Sequence, residues 1–176
     1  MTQTSTATVE WNPENGSAHE NLMVVHRMAL ALPDLGFIER DQHVNAALGH
    51  ALRAAALRPT SGYAYSLVAL AKQTRGQRDS IFRKALSQAA QYGPWEPVVQ
   101  KNIIDAGSQG WEALDESARD AVRQTIVRAQ EAYPEGTKAF LVARRWSLPN
   151  CTELRVRVIG LCPGQAGAIV QTPPKN

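Results

Sequence analysis

Apolar residues recur at helical spacing through most of the chain. From Ala18 to Ala31 they fall at Leu22, Val25, Met28 and Ala29, steps of three and four that line one face of a helix. Pro33 stops that helix, and residues 32–39, with Phe37 and Ile38, read as a turn. Asp41 to Leu57 predicts a second helix, with Val44, Leu48, Leu52 and Ala55 in one stripe and Ala47, Ala51 and Ala54 beside it. Tyr63 to Thr74 predicts a third. Leu67, Leu70 and Ala71 continue the line from Tyr63, and Tyr65, Val68 and Ala69 widen it. A helix apolar around so much of its circumference is buried against more than one neighbour. Gly76 breaks it.

Four further helices follow by the same reasoning. Asp79–Tyr92 turns Phe82, Ala85, Leu86 and Ala89 inward and ends at Gly93-Pro94. Trp95–Ala106 carries Val98, Val99, Ile103 and Ala106, and Gly107 and Gly110 close it. Trp111–Tyr133 has Leu114, Ala118, Ala121, Val122, Ile126 and Ala129 in register, with Asp115 as N-cap of an incomplete capping box. Thr137–Ser147 turns Phe140 and Ala143 inward and ends on Arg144-Arg145, where the helix dipole favours cations. Beyond Leu148 the period changes. Leu154, Val156 and Val158 alternate with Arg155, Arg157 and Ile159, which fits a strand or extended segment; a two-turn helix over Thr152–Leu161 is the other reading. The expected organisation is a polar lead-in over 1–17, a helical domain over 18–147 and a C-terminal tail over 148–176.

Composition agrees with an all-α chain. The 176 residues are 44% apolar and 20% charged, which argues against disorder as the main state. There are 26 alanines against three phenylalanines, a balance that favours closely packed helices and disfavours a β-sandwich.

The net charge of +3 is small, and its distribution matters more. Residues 1–41 hold six acids (Glu10, Glu14, Glu20, Asp34, Glu39 and Asp41) against Arg27 and Arg40, whereas residues 42–110 hold eight bases against Asp79, Glu96 and Asp105. Such a basic middle either meets an acidic polymer, membrane surface or partner or is simply a set of solvated helix faces. The run Arg53, Arg58, Lys72, Arg75, Arg78, Arg83, Lys84 could neutralise phosphates. Asp79 interrupts it and no nucleic-acid module accompanies it, so nucleic acid is not an expected partner.

Little in the chain points to catalysis. No GxxxxGK[ST] or GxGxxG loop is present. Glu112, Asp115 and Glu116 sit at a helix start, where the dipole favours acids. His19, His26, His43 and His50 all fall in the first 50 residues. His43 and His50 are seven apart, beyond the i, i+4 spacing of a helical metal pair. Cys151 and Cys162 have no zinc spacing; they are either a disulfide, in an oxidising compartment, or two plain thiols. No catalytic residue, cofactor or metal is expected. No apolar run reaches the roughly 18 residues of a membrane span, and no secretory signal is visible. The expected location is cytoplasmic, or inner-membrane-associated or periplasmic if an anchor preceded Met1.

The prolines carry a longer period. Pro59, Pro94 and Pro134 are separated by 35 and 40 residues, and each interval holds two helices around a Gly-containing turn, the mark of an α-solenoid. The run from Ala54 through Pro59 to Tyr65, followed by Val68-Ala69 and Gly76, with Ala47 in the preceding helix, resembles the junction between two tetratricopeptide repeats. Lys72 departs from the motif, standing where a large apolar residue is usual, and the helix after Gly76 is shifted by about three positions. The resemblance covers about residues 18–147 in degenerate form. It implies a concave groove lined by the first helix of each pair, with Tyr63, Ser66, Leu70 and Gln73 facing it, Val98 and Lys101 at the matching positions one unit on, and Arg75 and Arg78 at the rim.

A narrower likeness rests on Ser61–Lys72, on Phe82-Arg-Lys-Ala-Leu and on Gly93-Pro-Trp-Glu-Pro-Val-Val-Gln. These stretches resemble the VpsP family, small helical-repeat proteins encoded with bacterial exopolysaccharide machinery. That resemblance implies a non-catalytic adaptor for a protein partner, such as a polysaccharide synthase or export component. The alternatives are a soluble regulatory helical domain and a basic module for an acidic polymer, nucleic acid or polysaccharide.

Overall fold

A computed structural model describes residues 7, 9, 10 and 12–143. All regular structure among the described residues is helical: seven α-helices and one 3-10 turn, with no strand. The chain divides into two compact units, Met1–Ala129 and Gln130–Asn176. The expected strand over 154–159, both cysteines and Arg144-Arg145 lie outside the described residues.

Most helices of the first unit begin where a side chain satisfies an open backbone N–H group. Asn15 caps α1 (Gly16–Ala29), its Oδ1 accepting from Ala18 N at 3.0 Å. Helix α2 runs Phe37–Leu57, and Glu39 reaches back to accept from Gly36 N at 3.1 Å. Ser61 caps α3 (Gly62–Thr74) and Asp79 caps α4 (Ser80–Tyr92), through Ala64 N and Phe82 N. Helix α5 (Pro97–Gly110) opens on proline, whose missing donor costs nothing at that position. A 3-10 turn, Trp111–Ala113, leads to α6 (Glu116–Ala132), and Asp115 caps it as expected, accepting from Ala118 N at 2.9 Å.

Helix α3 ends in a Schellman motif. Gln77 N donates to Lys72 O and Gly76 N to Gln73 O, both at 2.9 Å, with Gly76 at φ 74°. Glycine takes that left-handed conformation without a Cβ penalty.

Helices α1 and α2 run antiparallel, as do α3 and α4. Helix α1 packs on α2 and α3 on α4, and α3 is the hub, touching α1, α2, α4 and α5. This is why α3 has the widest apolar surface. Nine of its thirteen residues are buried. The α3–α4 pair closes tightly at one end, where a Cβ on Gly62 would fall on the backbone N and Cα of Gly93. Tyr65 stacks on Tyr92 beside this crossing, with ring centroids 5.9 Å apart.

Several expectations are corrected. Helix α2 begins at Phe37, four residues before Asp41, because Glu39 supplies its N-terminal acceptor. Phe37 and Ile38 are thus in the first turn and strongly exposed, at 86% and 72%. The buried stripe of α2 is Ala47, Ala51, Ala54 and Ala55, whereas Leu52 is 40% exposed; small residues let α1 and α3 approach more closely than leucine would. On α1 the fully buried residue is Met23, and Met28 is exposed. Helix α5 passes through Gly107 to Gly110, since the bare face of Gly107 abuts Val122 of α6. The inward sets of α4 and α6 stand largely as expected, with Phe82, Leu86, Val122 and Ile126 fully buried.

In the second unit, α7 spans Pro134–Ala143, and Thr137 N donates to Tyr133 O at 2.9 Å. It starts three residues before Thr137 because Pro134 opens the helix instead of ending the preceding one. Its buried residues are Thr137 and Leu141; Phe140 is half-buried and Ala143 exposed. The inward face is therefore rotated from the expected one.

Candidate functional site

Helices α1 and α5 both pack on α3, and a hollow runs along the three. It encloses about 550 Å³. Its lining includes Met23 and Met28 of α1, Leu67 and Leu70 of α3, and Val98 of α5. A second hollow of about 470 Å³ contains Arg58, Ser61 and Glu96, and Tyr63 and Val98 border both. The two form one groove with an apolar section and a polar end.

Burial shapes the charges around this groove. Arg27 borders it and donates to Asp105 Oδ2 at 3.3 Å, and the buried Asp105 also accepts from Gln109 at 2.8 Å. Glu20 is buried with Arg58 at 2.6 Å. Burial pushes the Glu20 carboxyl above its ordinary value, although Arg58 pulls the other way. The Tyr63 hydroxyl is likewise pushed up, first by burial and then by the Glu20 charge.

The sequence-derived groove residues separate into three groups. Tyr63, Leu70 and Val98 line the groove. Leu70 is only 1% exposed, so it is core and groove floor at once, whereas Val98 is 48% exposed. Ser66 is buried beneath, its hydroxyl donating to Tyr63 O at 2.7 Å and accepting from Asn102 at 3.0 Å. Gln73 bonds Gln109 of α5, and Lys101 is exposed on α5, outside the lining. Arg75 and Arg78 are exposed at the α3–α4 turn. The α1 wall was missed, although the run Leu22-Met23-Val24-Val25 is apolar over more than one helical face. That breadth was the available signal.

A second constellation lies on the α1–α2 seam. His19 Nδ1 is 2.8 Å from His50 Nδ1, and His26 Nδ1 is 2.8 Å from His43 Nδ1. His26 and His50 stack between these pairs at 5.6 Å and 12°. Each helix contributes two imidazoles seven residues apart, and the antiparallel register interleaves them into one ladder. Spacing along a single helix could not show this. His19 Nε2 also meets Pro13 O at 3.1 Å. Burial, then the other imidazoles, lowers the affinity of His26 and His50 for a proton. Among the described residues no group of three or more His, Cys, Asp or Glu is arranged to hold a metal ion. No described helix is long and apolar enough to cross a membrane.

The chain matches no family model, no curated protein and no solved structure.

Proposed function

We propose that this chain is a non-catalytic, tetratricopeptide-like adaptor that holds an amphipathic segment of a partner protein in the groove along α1, α3 and α5. One observation carries the reading. Tyr63, Leu70 and Val98, which the repeat pattern assigns to a concave face, meet in one hollow. Its apolar section suits two or three bulky side chains presented by an amphipathic helix, and its polar end offers Tyr63, Arg58 and Glu96. The resemblance of Ser61–Lys72 and of the Gly93-Pro-Trp-Glu turn to exopolysaccharide-associated repeat proteins points to a synthase or export component as the partner.

The basic-polymer reading has less support. Of the seven bases in its run, Arg53, Arg58, Lys72 and Arg83 are taken up in ion pairs with Glu14, Glu20, Asp79 and Asp115, which leaves fewer charges to neutralise phosphates.

The test compares the native chain with Val98→Glu as bait against detergent-solubilised envelope and cytosol of the source organism, read by mass spectrometry. The expected result is enrichment of polysaccharide synthase or export proteins on the native chain and their loss on Val98→Glu, with thermal unfolding unchanged. Purely cytosolic partners, or nucleic acid released by moderate salt, would overturn it.

A further inference from the structure

The four imidazoles on the α1–α2 seam have a geometry that one protonation state breaks. In each pair two Nδ1 atoms face each other at 2.8 Å. One N–H donates to the bare nitrogen of the other ring, which works with the pair neutral or singly protonated. A second proton removes the only acceptor and sets two N–H groups and two positive charges against each other. The stacked contact of His26 with His50 joins the pairs, so charge on one raises the cost of charge on the next.

We propose that this ladder is a proton-sensitive latch holding α1, and with it one wall of the groove, against α2. The inference rests on the groove reading above, because Met23, Val24 and Met28 of α1 form that wall. Mild acid would loosen α1 and release the bound segment.

The surrounding charges leave the imidazoles to act on one another. Before α1, Glu14 pairs with Arg53 of α2. On α1, Glu20 pairs with Arg58 and Arg27 with Asp105 of α5. On α2, Glu39 accepts from Gly36 N, Arg40 donates to Leu30 O at 3.0 Å and Asp41 accepts from Asn45 at 2.8 Å. Asp34 lies in the intervening turn. On α3, Lys72 pairs with Asp79, and Tyr63 stays neutral in this range. The charges acting on His26 and His50 are those of other histidines. Both imidazoles are held below the ordinary 6.5, so their contribution is complete above that value and is lost as pH falls below it.

The experiment is hydrogen exchange on the full chain without ligand at about pH 7.5 and about pH 5.5, corrected for intrinsic rates. The expected result is a loss of about tenfold or more in protection over Leu22–Met28 at the lower pH, with Phe82–Ala89 of α4 changing less. The double variant His43→Gln, His50→Gln leaves one ionisable ring per pair and should shrink the difference to the part that burial of His26 alone sets. Retained α1 protection, an equal loss in α1 and α4, or an unchanged pH response in the variant would overturn the latch. Should the variant fail to fold, an NMR titration of the native histidines decides instead. Within each pair one ring should titrate below 6.5, and two rings titrating together at or above that value would overturn it. No partner enters either measurement. A groove that binds nothing leaves these results intact, and an α1 indifferent to pH leaves the Val98→Glu result intact.

Discussion

Lys72 Nζ lies 2.7 Å from Asp79 Oδ2 and ties the last turn of α3 to the first turn of α4. The ammonium is buried at 7% side-chain exposure and the carboxylate half-exposed at 47%. Lys72 also donates to Gln77 Oε1 at 2.9 Å, while Asp79 Oδ1 caps α4. The residue that departs from the repeat motif thus reaches out of the core to fasten the turn.

The two partners should respond unequally to substitution. Asp79→Ala removes a cap and leaves a buried ammonium without its carboxylate, so a loss of about 2–4 kcal/mol is expected. Lys72→Met fills similar volume without a charge and leaves Asp79 in solvent, so a change within about 1 kcal/mol is expected. Urea unfolding of both variants checks this, and equal losses would contradict it. Lys72 also holds the Asp79 carboxyl below its ordinary 3.8. That contribution is present above 3.8 and lost as pH falls through the lowered value. Asp79→Asn should flatten the stability profile there and lower stability near neutrality, where the native pair is complete.

Gly62→Ala tests the α3–α4 crossing. The new methyl would overlap the Gly93 backbone, which has no flexible end to move aside. A destabilisation of about 1–3 kcal/mol is expected, against gain or neutrality for a typical helix-interior glycine. A melting temperature equal to that of the parent would show that the crossing is looser than described.

Ala51→Leu tests the alanine seam of α2. Ala51 is fully buried on the face turned to its neighbours. The added carbons should cost about 1–3 kcal/mol by forcing the helices apart. Leu52→Ala, one position on and 40% exposed, should cost less than about 1 kcal/mol. The reverse order would place the packed stripe on the larger residues.

Leu70→Ala and Val98→Ala separate floor from wall. Leu70 is buried, so its truncation should lower stability by about 2–5 kcal/mol. Half-exposed Val98 should cost under about 1 kcal/mol while weakening partner capture. Chemical unfolding, paired with the pull-down, distinguishes them; lost binding from neither variant would count against the groove.

The sequence by itself determined that the described residues form seven helices and roughly where these end. Those properties depend on local physics: apolar steps of three and four, Asp115 as a cap, Pro59 and Gly76 as stops. The repeat resemblance implied Tyr63, Leu70 and Val98 as positions on one face, and the three line one hollow. Tertiary structure decided what depends on residues distant in sequence. Periodicity set Val44, Leu48, Leu52 and Ala55 in one stripe with Ala47, Ala51 and Ala54 beside it, and close packing against α1 and α3 buries the four alanines. The Lys72 amine is buried because Asp79 waits across the turn. The histidines seven apart on each helix became a ladder only when antiparallel packing set His19 against His50 and His26 against His43, since register between two helices is written in neither helix alone.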